Sequence, residues 1–210
     1  MKLAGIYGIT DSSLTPGQSL LTAVEQALEG GISLLQYRDK QSDPAQRRAQ
    51  AKALQVLCAA HQVPLLINDD VQLCLQSGAA GVHLGQQDTD ILAARRALGD
   101  QAIIGITCHA DLALASRAEQ SGASYVAFGR FFPSQTKPAA PPAELDLLVR
   151  ARERLSIPIV AIGGIDASNA AAAVAAGADM LAVINYLFSA RDIASRAREL
   201  NAIYRRITLT

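Results

Sequence analysis

The sequence has no excess of charge, since its 19 lysines and arginines are balanced by 19 aspartates and glutamates. A chain without a net field has little attraction for nucleic-acid phosphates or for an anionic membrane surface. We therefore expect no nucleic-acid partner and no membrane partner. Half of the 210 residues are hydrophobic, which is enough to bury a large core.

Cysteine is also scarce, and its three positions form no CxxC pair: Cys58, Cys74 and Cys108. An odd number of cysteines without metal-ligand spacing argues against disulfides and against a zinc site. Free cysteine most often behaves as a small buried hydrophobe, and that is the role we predict for all three. Three free cysteines are typical of a protein in the reducing cytoplasm.

The sequence further lacks a linker rich in Gly, Ser or Pro and lacks a block of like charge, so we expect one domain over residues 1–210. The first apolar run, Leu3–Ile9, is short and interrupted by glycines, which argues against a secretory signal. The apolar stretch Ala170–Phe188 is broken by Gly177-Ala178-Asp179. It predicts a buried helix, a turn and a buried strand rather than a membrane span.

Runs of β-branched and aliphatic residues recur roughly every 20 to 30 residues and alternate with alanine-rich segments of helical periodicity. Glycines stand before four of the runs, where a helix would end in a left-handed cap. The predicted strands are Leu3–Thr10, Ile32–Arg38, Pro64–Asn68, Gly81–Leu84, Ala102–Thr107, Tyr125–Phe128, Ile157–Ile162 and Met180–Ile184. Amphipathic helices are predicted over Pro44–His61, Ile91–Leu98, Leu112–Gln120 and Ala143–Leu155.

Eight apolar strands, each followed by a helix, favour a closed (β/α)8 barrel, the TIM barrel, over an open doubly wound sheet. An open sheet of that kind should carry a GxGxxG turn after its first strand, and Thr10-Asp11-Ser12-Ser13 stands there instead. Barrels of this class place their chemistry on the loops after the strands. The strand ends are therefore where we look for a site.

Cationic and amide side chains follow the second strand, where alternation places Gln36, Arg38 and, if the strand extends, Lys40 on one side. Two cations and an amide suit a polyphosphate, although a solvated strand end with locally paired charges has the same pattern. Asn68-Asp69-Asp70 follow the third strand and Asp88 follows the fourth. These carboxylates suit Mg²⁺, with helix capping as the alternative for Asp70 and Asp88.

Thr107 ends the fifth strand, and we expect its hydroxyl to contact a ligand. Adjacency of Cys108 and His109 points their side chains apart in an extended chain, which argues against a thiol nucleophile. His83 lies among apolar residues and is better interpreted as a hydrogen-bonded core histidine than as a base.

Phosphate-binding features follow strands six to eight. The loop Phe128–Lys137 offers hydroxyls and a lysine, and the Gly163-Gly164 turn together with Ile184-Asn185 offers backbone N–H groups. The barrel thus has two predicted anionic sites, one after strands two to four and one after strands seven and eight. Two such sites predict two phosphorylated small-molecule substrates.

With these motifs in place, the sequence resembles the thiamine phosphate synthase family over essentially its whole length. The matching pieces are QYRDK (36–40), INDD (67–70), GVHLGQQD (81–88), GITCH (105–109), FPSQTK (132–137), AIGGI (161–165) and Ile184-Asn185. Arg130, Ser134 and Asn185 depart from the family's usual proline, threonine and serine. The role of Arg130 stays open.

The resemblance implies the joining of a pyrimidine methyl diphosphate to a thiazole phosphate, or to its carboxylated form, with release of pyrophosphate and a requirement for Mg²⁺. It assigns the pyrimidine diphosphate to Gln36, Arg38, Lys40, Asn68, Thr107 and Lys137, with Arg38, Lys40, Thr107 and Lys137 as the catalytic group. It assigns the metal to Asp69 and Asp88. It assigns the thiazole phosphate to Ser134, Gln135, Thr136, Gly164, Ile184 and Asn185.

Such a reaction needs no protein nucleophile, since the pyrimidine amino group can stabilise a carbocation as the C–O bond to pyrophosphate breaks. The residues would position the substrates and neutralise the leaving group. Two alternatives remain open: a barrel isomerase of the thiazole tautomerase type, and a catalytically silent phosphate-binding regulator. The sequence leaves the choice between a monomer and a homo-oligomer open.

Overall fold

The computed structural model describes residues 3–133 and 141–209. Its eight parallel strands close into a barrel in sequence order, with β1 hydrogen-bonded to β8, so the prediction of a TIM barrel is confirmed. The strands are β1 Gly5–Ile9, β2 Leu34–Tyr37, β3 Leu65–Asn68, β4 Gly81–Leu84, β5 Ile103–His109, β6 Tyr125–Phe128, β7 Ile159–Ile162 and β8 Met180–Val183.

A helix follows each strand, and one more helix ends the described chain. The helices are α1 Ser19–Glu29, α2 Pro44–Ala60, α3 Val71–Ser77, α4 Ile91–Leu98, α5 Leu112–Gln120, α6 Asp146–Arg152, α7 Ala170–Ala175, α8 Asn185–Phe188 and α9 Ile193–Thr208. Four helices from α2 to α5 begin after an aspartate whose carboxylate accepts backbone N–H groups of the first turn. The capping residues are Asp43, Asp70, Asp90 and Asp111.

Glycines turn four helices into the next strand. Gly31, Gly78, Gly122 and Gly177 have φ values of 88°, 73°, 87° and 114°, in the left-handed region where a side chain would be strained. These are the glycines predicted to stop the helices, and the structure confirms that role.

The core has two parts. A large layer packs the helices against the outside of the barrel, and a smaller cluster fills the inside. The three cysteines lie buried and unpaired by disulfides, as predicted. Burial raises the pKa of the thiols of Cys58 and Cys108 to about 12 and that of Cys74 to about 11.

Some element boundaries differ from the predictions. Strand β5 continues to His109 because a shift in the pairing register with β6 lengthens it after Thr107. Strand β8 ends at Val183, and Asn185 already begins the short helix α8. The stretch Ala170–Phe188 is a helix, a turn and a strand, as expected, followed by that helix. Among the described residues, no helix is both long and apolar enough to cross a membrane.

Candidate active site

A cavity of about 690 Å³ opens at the carboxyl ends of the strands. This is the face on which barrels of this class carry their sites. Ten of the residues predicted from the sequence line it: Gln36, Arg38, Lys40, Asn68, Asp69, Asp88, Thr107, Gly164, Ile184 and Asn185. The other four predicted residues, Ser134, Gln135, Thr136 and Lys137, lie outside the described residues.

Arg38 is held at the wall of the cavity by the loop after β1. Its guanidinium Nη1 lies 3.0 Å from Asp11 Oδ2, and its backbone N–H donates to Thr10 Oγ1 at 2.9 Å. The Arg38 side chain is only 17% exposed, so this pairing is shielded from solvent better than a surface ion pair. Asp11 thus fixes the direction of the cation, and the guanidinium keeps further donors for a ligand.

Asp69 is placed by an unusual backbone conformation and by two neighbours. Its φ of 62° turns the chain out of β3. Asn68 Nδ2 donates to Asp69 Oδ2 at 2.6 Å, and Lys40 Nζ lies 3.7 Å from the same oxygen. Lys40 itself is 58% exposed, so its charge is available to a ligand entering from solvent.

Asp88 faces Asp69 across this part of the cavity. Burial raises the pKa of the Asp69 carboxyl above its ordinary value, and the carboxylate of Asp88 raises it further, while Lys40 and Asn68 act in the opposite direction. Asp88 Oδ2 also accepts the Gly85 N–H at 2.6 Å. A cation bound beside these two carboxylates would offset the effects that disfavour the charge of Asp69.

Helix capping, the alternative role for two of these aspartates, holds for one of them. Asp70 caps α3 by accepting the Leu73 N–H at 2.8 Å and pairs with Arg47 at 3.2 Å. The cap of α4 is Asp90 and not Asp88. In residues 3–133 and 141–209, no group of three or more His, Cys, Asp or Glu side chains could hold a metal ion.

A chain of buried hydrogen bonds runs through the inside of the barrel below the cavity. Gln36 Nε2 donates to the Tyr7 hydroxyl, and the hydroxyls of Tyr7 and Tyr125 lie 2.8 Å apart. His83 Nδ1 lies 2.8 Å from the Tyr125 hydroxyl, and its Nε2 lies 2.8 Å from Thr107 Oγ1. Both ring nitrogens of His83 are therefore hydrogen-bonded inside the barrel, as the prediction of a core histidine requires.

The other side of the cavity is formed by glycines after β7. Gly163 and Gly164 have φ values of 104° and 63°, and Asn169 Nδ2 donates to the Gly164 carbonyl at 2.9 Å. A Cβ atom on Gly164 would overlap the carbonyl oxygen of Pro133. Gly164 thus lets the segment after β6 pack on this turn, a second use of this glycine that the sequence pattern did not reveal.

Several lining residues were not predicted from the sequence. Gln86 donates from Nε2 to the Thr107 carbonyl, and Tyr186 lines the cavity beside Asn185. Tyr186 is held by Glu199 Oε2 at 2.8 Å and by the guanidinium of Arg196, 4.6 Å above its ring. Gln86 stands inside the motif GVHLGQQD, which gave the only available signal, whereas nothing local marks Tyr186.

Comparison with known proteins agrees with this geometry. A family model described as thiamine monophosphate synthase matches residues 6–187. A thiamine-phosphate synthase from Marinobacter nauticus is 52% identical over 204 residues, which cover 96% of this chain and 91% of that protein.

Solved structures give the same result at the level of the fold. A thiamine phosphate pyrophosphorylase from Pyrococcus furiosus superposes with a TM-score of 0.89 at 32% identity, over 98% of both chains. A geranylgeranylglyceryl phosphate synthase from Thermoplasma acidophilum, at 15% identity and a TM-score of 0.71 over 97% of this chain and 94% of its own, shares the fold alone. On the family match and the identity to the Marinobacter protein, the chain belongs to the thiamine monophosphate synthase family.

Proposed function

We propose that this chain is a thiamine-phosphate synthase that joins 4-amino-2-methyl-5-(diphosphooxymethyl)pyrimidine to 4-methyl-5-(2-phosphooxyethyl)thiazole, or to its carboxylated form, and releases pyrophosphate. The observation that carries the proposal is the assembly of the predicted residues from both halves of the chain into one cavity of a family member. The three free, buried cysteines fit a reducing compartment, and we place the reaction in the cytoplasm.

The two halves of the cavity differ in chemistry, which supports two different substrates. Arg38 and Lys40 stand with the carboxylates of Asp69 and Asp88 on one side, and the Gly163-Gly164 turn stands on the other. We assign the diphosphate to the first side, with Gln36, Asn68, Thr107 and Lys137. We assign the thiazole phosphate to the second side, with Ser134, Gln135, Thr136, Gly164, Ile184 and Asn185.

The carboxylates of Asp69 and Asp88 fit a Mg²⁺ ion. They are hard oxygen donors, and burial together with the neighbouring Asp88 raises the pKa of the Asp69 carboxyl, which the positive charge of a divalent cation would offset. Magnesium is commonly held by one or two carboxylates together with substrate phosphates and water, so a third protein ligand is not needed. When bound, Mg²⁺ would supply charge neutralisation to the diphosphate.

In the proposed mechanism the residues of the chain bind and orient the two substrates and neutralise the departing pyrophosphate. Arg38, fixed by Asp11, and Lys40 lie where the charge of the departing pyrophosphate grows, so their attraction strengthens as the C–O bond breaks. The pyrimidine amino group stabilises the carbocation, and the thiazole nitrogen then attacks it. Since this reaction requires no strong base, the histidine inside the barrel can serve as a structural group.

The test is the appearance of pyrophosphate when the purified protein meets both substrates. We expect release with Mg²⁺, none when either substrate is omitted, and a return to background on adding EDTA. Neither an isomerase acting on one phosphate ester nor a silent phosphate-binding regulator would produce pyrophosphate under any of these conditions. A protein that binds both compounds and yields no pyrophosphate with Mg²⁺ present would overturn the proposal.

Size-exclusion chromatography with light scattering on the same preparation gives the oligomeric state.

A further inference from the structure

The buried hydrogen-bonded chain Gln36, Tyr7, Tyr125, His83 and Thr107 is here called the relay. It links the two predicted site residues Gln36 and Thr107 through three residues that have no assigned role, of which His83 also lines the cavity. Its interior members are almost wholly inaccessible: Tyr7 is 1% exposed and Tyr125 is 0% exposed. Burial also raises the pKa of both phenols, so each remains neutral and contributes one O–H proton.

Counting those protons gives the relay a direction. The Tyr7 hydroxyl accepts from Gln36 Nε2, so its single proton is available for Tyr125. Tyr125 then donates its own proton to His83 Nδ1, which must be the unprotonated nitrogen. The neutral imidazole therefore carries its proton on Nε2 and donates it to Thr107 Oγ1.

The two ends of the relay are fixed as a consequence. Gln36 has turned its NH₂ group inwards and, among the described residues, its Oε1 accepts no hydrogen bond, so it presents an acceptor to the cavity. Thr107 Oγ1 is occupied as an acceptor, so its O–H remains as a donor. With the Gln36 amide in this orientation, both tyrosine hydroxyls donate within the relay only when all four hydrogen bonds run from Gln36 towards Thr107.

We propose that Tyr7, Tyr125 and His83 are positioning residues that set the hydrogen-bond polarity of Gln36 and Thr107, and that they thereby select a pyrimidine carrying an amino group. This inference rests on the proposed function. An amino group donates to Gln36 Oε1, whereas an oxo group in its place would set two acceptors against each other. The Thr107 hydroxyl donates to an acceptor atom of the same substrate.

The backbone of β5 provides the space that the relay needs. In the barrel register, Gly105 pairs with His83 on one side and with Tyr125 on the other. Because Gly105 has no side chain, the two rings meet across it, with centroids 5.6 Å apart and an interplanar angle of 21°. A Cβ atom on Gly105 would overlap the ring of Tyr125, so the glycine is what allows the relay to cross β5.

The direction of the relay is tested first by ¹⁵N NMR of the wild-type protein labelled at histidine. The chain has three histidines, so a His83→Gln variant assigns the resonance. We expect a neutral imidazole with protonated Nε2 and unprotonated Nδ1 at pH 7. The Nδ1–H tautomer, or a doubly protonated ring, would overturn the proposed polarity. This readout needs neither substrate nor turnover.

Selection of the amino group is tested by calorimetry with two unreactive probes, the monophosphate of the 4-aminopyrimidine methanol and its 4-oxo counterpart. We expect the wild-type protein to bind the amino probe about tenfold more tightly than the oxo probe. In Tyr125→Phe the relay is interrupted, and the ratio should fall to about 2 or below. Affinity for the thiazole phosphate should stay unchanged in the same variant.

Tyr204→Phe is the matched control, since it also removes a tyrosine hydroxyl with a 2.8 Å hydrogen bond, here to the carbonyl of Asp179, which precedes β8 at the end of the barrel opposite the cavity. It should keep the tenfold ratio. If Tyr125→Phe does not fold, Tyr7→Phe interrupts the relay one step earlier and should give the same loss.

An unchanged ratio in a folded relay variant would overturn the inference, as would a wild-type protein that binds neither probe. Pyrophosphate release from the two true substrates decides separately whether the proposed function holds. A protein that releases pyrophosphate but shows no preference for the amino probe would retain the function and lose the inference.

Discussion

Two pairs of aspartates show that a shift of one or two positions within a loop separates a carboxylate that lines the cavity from one that caps a helix. Asp69 and Asp70 are neighbours, and Asp88 and Asp90 are two apart, yet only the first of each pair lines the cavity. Asp70 and Asp90 point back to cap the helices that follow them. In the first pair, the chain has a φ of 62° at Asp69 before α3 begins at Val71.

We predict that Asp69→Asn and Asp88→Asn each lower turnover by about 100-fold or more, because each removes a carboxylate proposed to hold Mg²⁺. The fold should remain intact, since neither carboxylate is part of the apolar core. A magnesium-titrated pyrophosphate assay beside circular dichroism measures both effects.

Asp70→Asn and Asp90→Asn provide matched controls, as asparagine is also a good helix cap. They change the same type of side chain in the same two loops and should keep nearly full activity. If all four variants behaved alike, or if the cavity variants were fully active at ordinary Mg²⁺ concentrations, the metal assignment would be wrong.

At the residue scale, the sequence predicted which side chains meet but not what orients them. Ten site residues could be placed because each lies at or shortly after the carboxyl end of a strand, and the barrel brings all of these strand ends to one face. Tyr7 and Tyr125 lie inside strands and 118 positions apart, so no local pattern joins them. Gly105, which lets Tyr125 reach His83, looks like an ordinary strand glycine in the sequence.

At the scale of elements, the carboxylate of Glu119 connects helix α5 to the turn before β7. Glu119 Oε1, near the end of α5, accepts from Ser156 N, Ser156 Oγ and Ile157 N at 2.8, 2.7 and 3.1 Å. These groups belong to the turn that enters β7, so Glu119 fixes how that strand approaches β6. The hydrogen bond from the Ser156 side chain, followed by those from the backbone, lowers the pKa of Glu119 below its ordinary value of 4.5.

We predict a pH-dependent contribution of Glu119 to stability. A carboxyl whose pKa is lower in the folded state binds fewer protons there than in the unfolded chain, so its contribution is present above pH 4.5 and disappears as the pH falls through the folded pKa. Because Glu119 is only partly buried and solvent screens its charge, Glu119→Ala should cost only about 1 kcal/mol of unfolding free energy at pH 7.

Urea denaturation at pH 7 and at about pH 3 tests this dependence, with exposed Glu153→Ala as the control. The difference between wild type and Glu119→Ala should shrink towards zero at the lower pH, and Glu153→Ala should show little difference at either. An equal cost for Glu119→Ala at both pH values would mean that packing of the side chain, rather than its charge, holds the turn.

Element boundaries were predictable where a cap or a glycine marks them. Helices Ile91–Leu98 and Leu112–Gln120 have the predicted bounds because Asp90 and Asp111 cap their starts. Helix α6 begins at Asp146, three residues later than the predicted Ala143. The Ala143 N–H donates to the Arg130 carbonyl at 2.8 Å, and this contact holds the chain extended where the apolar spacing had predicted a helix.

At the scale of the whole molecule, the closed barrel was predictable because eight apolar runs alternate with amphipathic helices and no dinucleotide-binding turn follows the first. The order of strands around the barrel then placed cations and carboxylates beside each other after β2 to β4. The glycine turn after β7 was predicted as a phosphate site, but its packing against Phe132 and Pro133 was not, because that contact joins two loops across the top of the barrel.

Closure of the barrel sets a condition on how the chain can be made. Gly5 on β1 pairs with Met180 on β8, about 175 positions later, and α9 reaches back to the end of α1 through Asn201, which donates to the Gly30 and Gly31 carbonyls at 3.0 and 2.9 Å. During synthesis, at roughly 5 to 20 residues per second, β1 therefore waits on the order of 10 to 30 s for its last neighbour.

Throughout that interval the growing sheet has an open edge at β1 and another at its newest strand, and unpaired parallel edges are sites of association between nascent chains. A protein ending at Gly177 would keep both edges permanently. We expect that fragment to sediment as aggregates when expressed, while the full chain stays in the supernatant. A soluble, monomeric fragment with native-like circular dichroism would contradict this expectation. It would show that the open edges of a seven-stranded sheet do not associate with other nascent chains on the polysome.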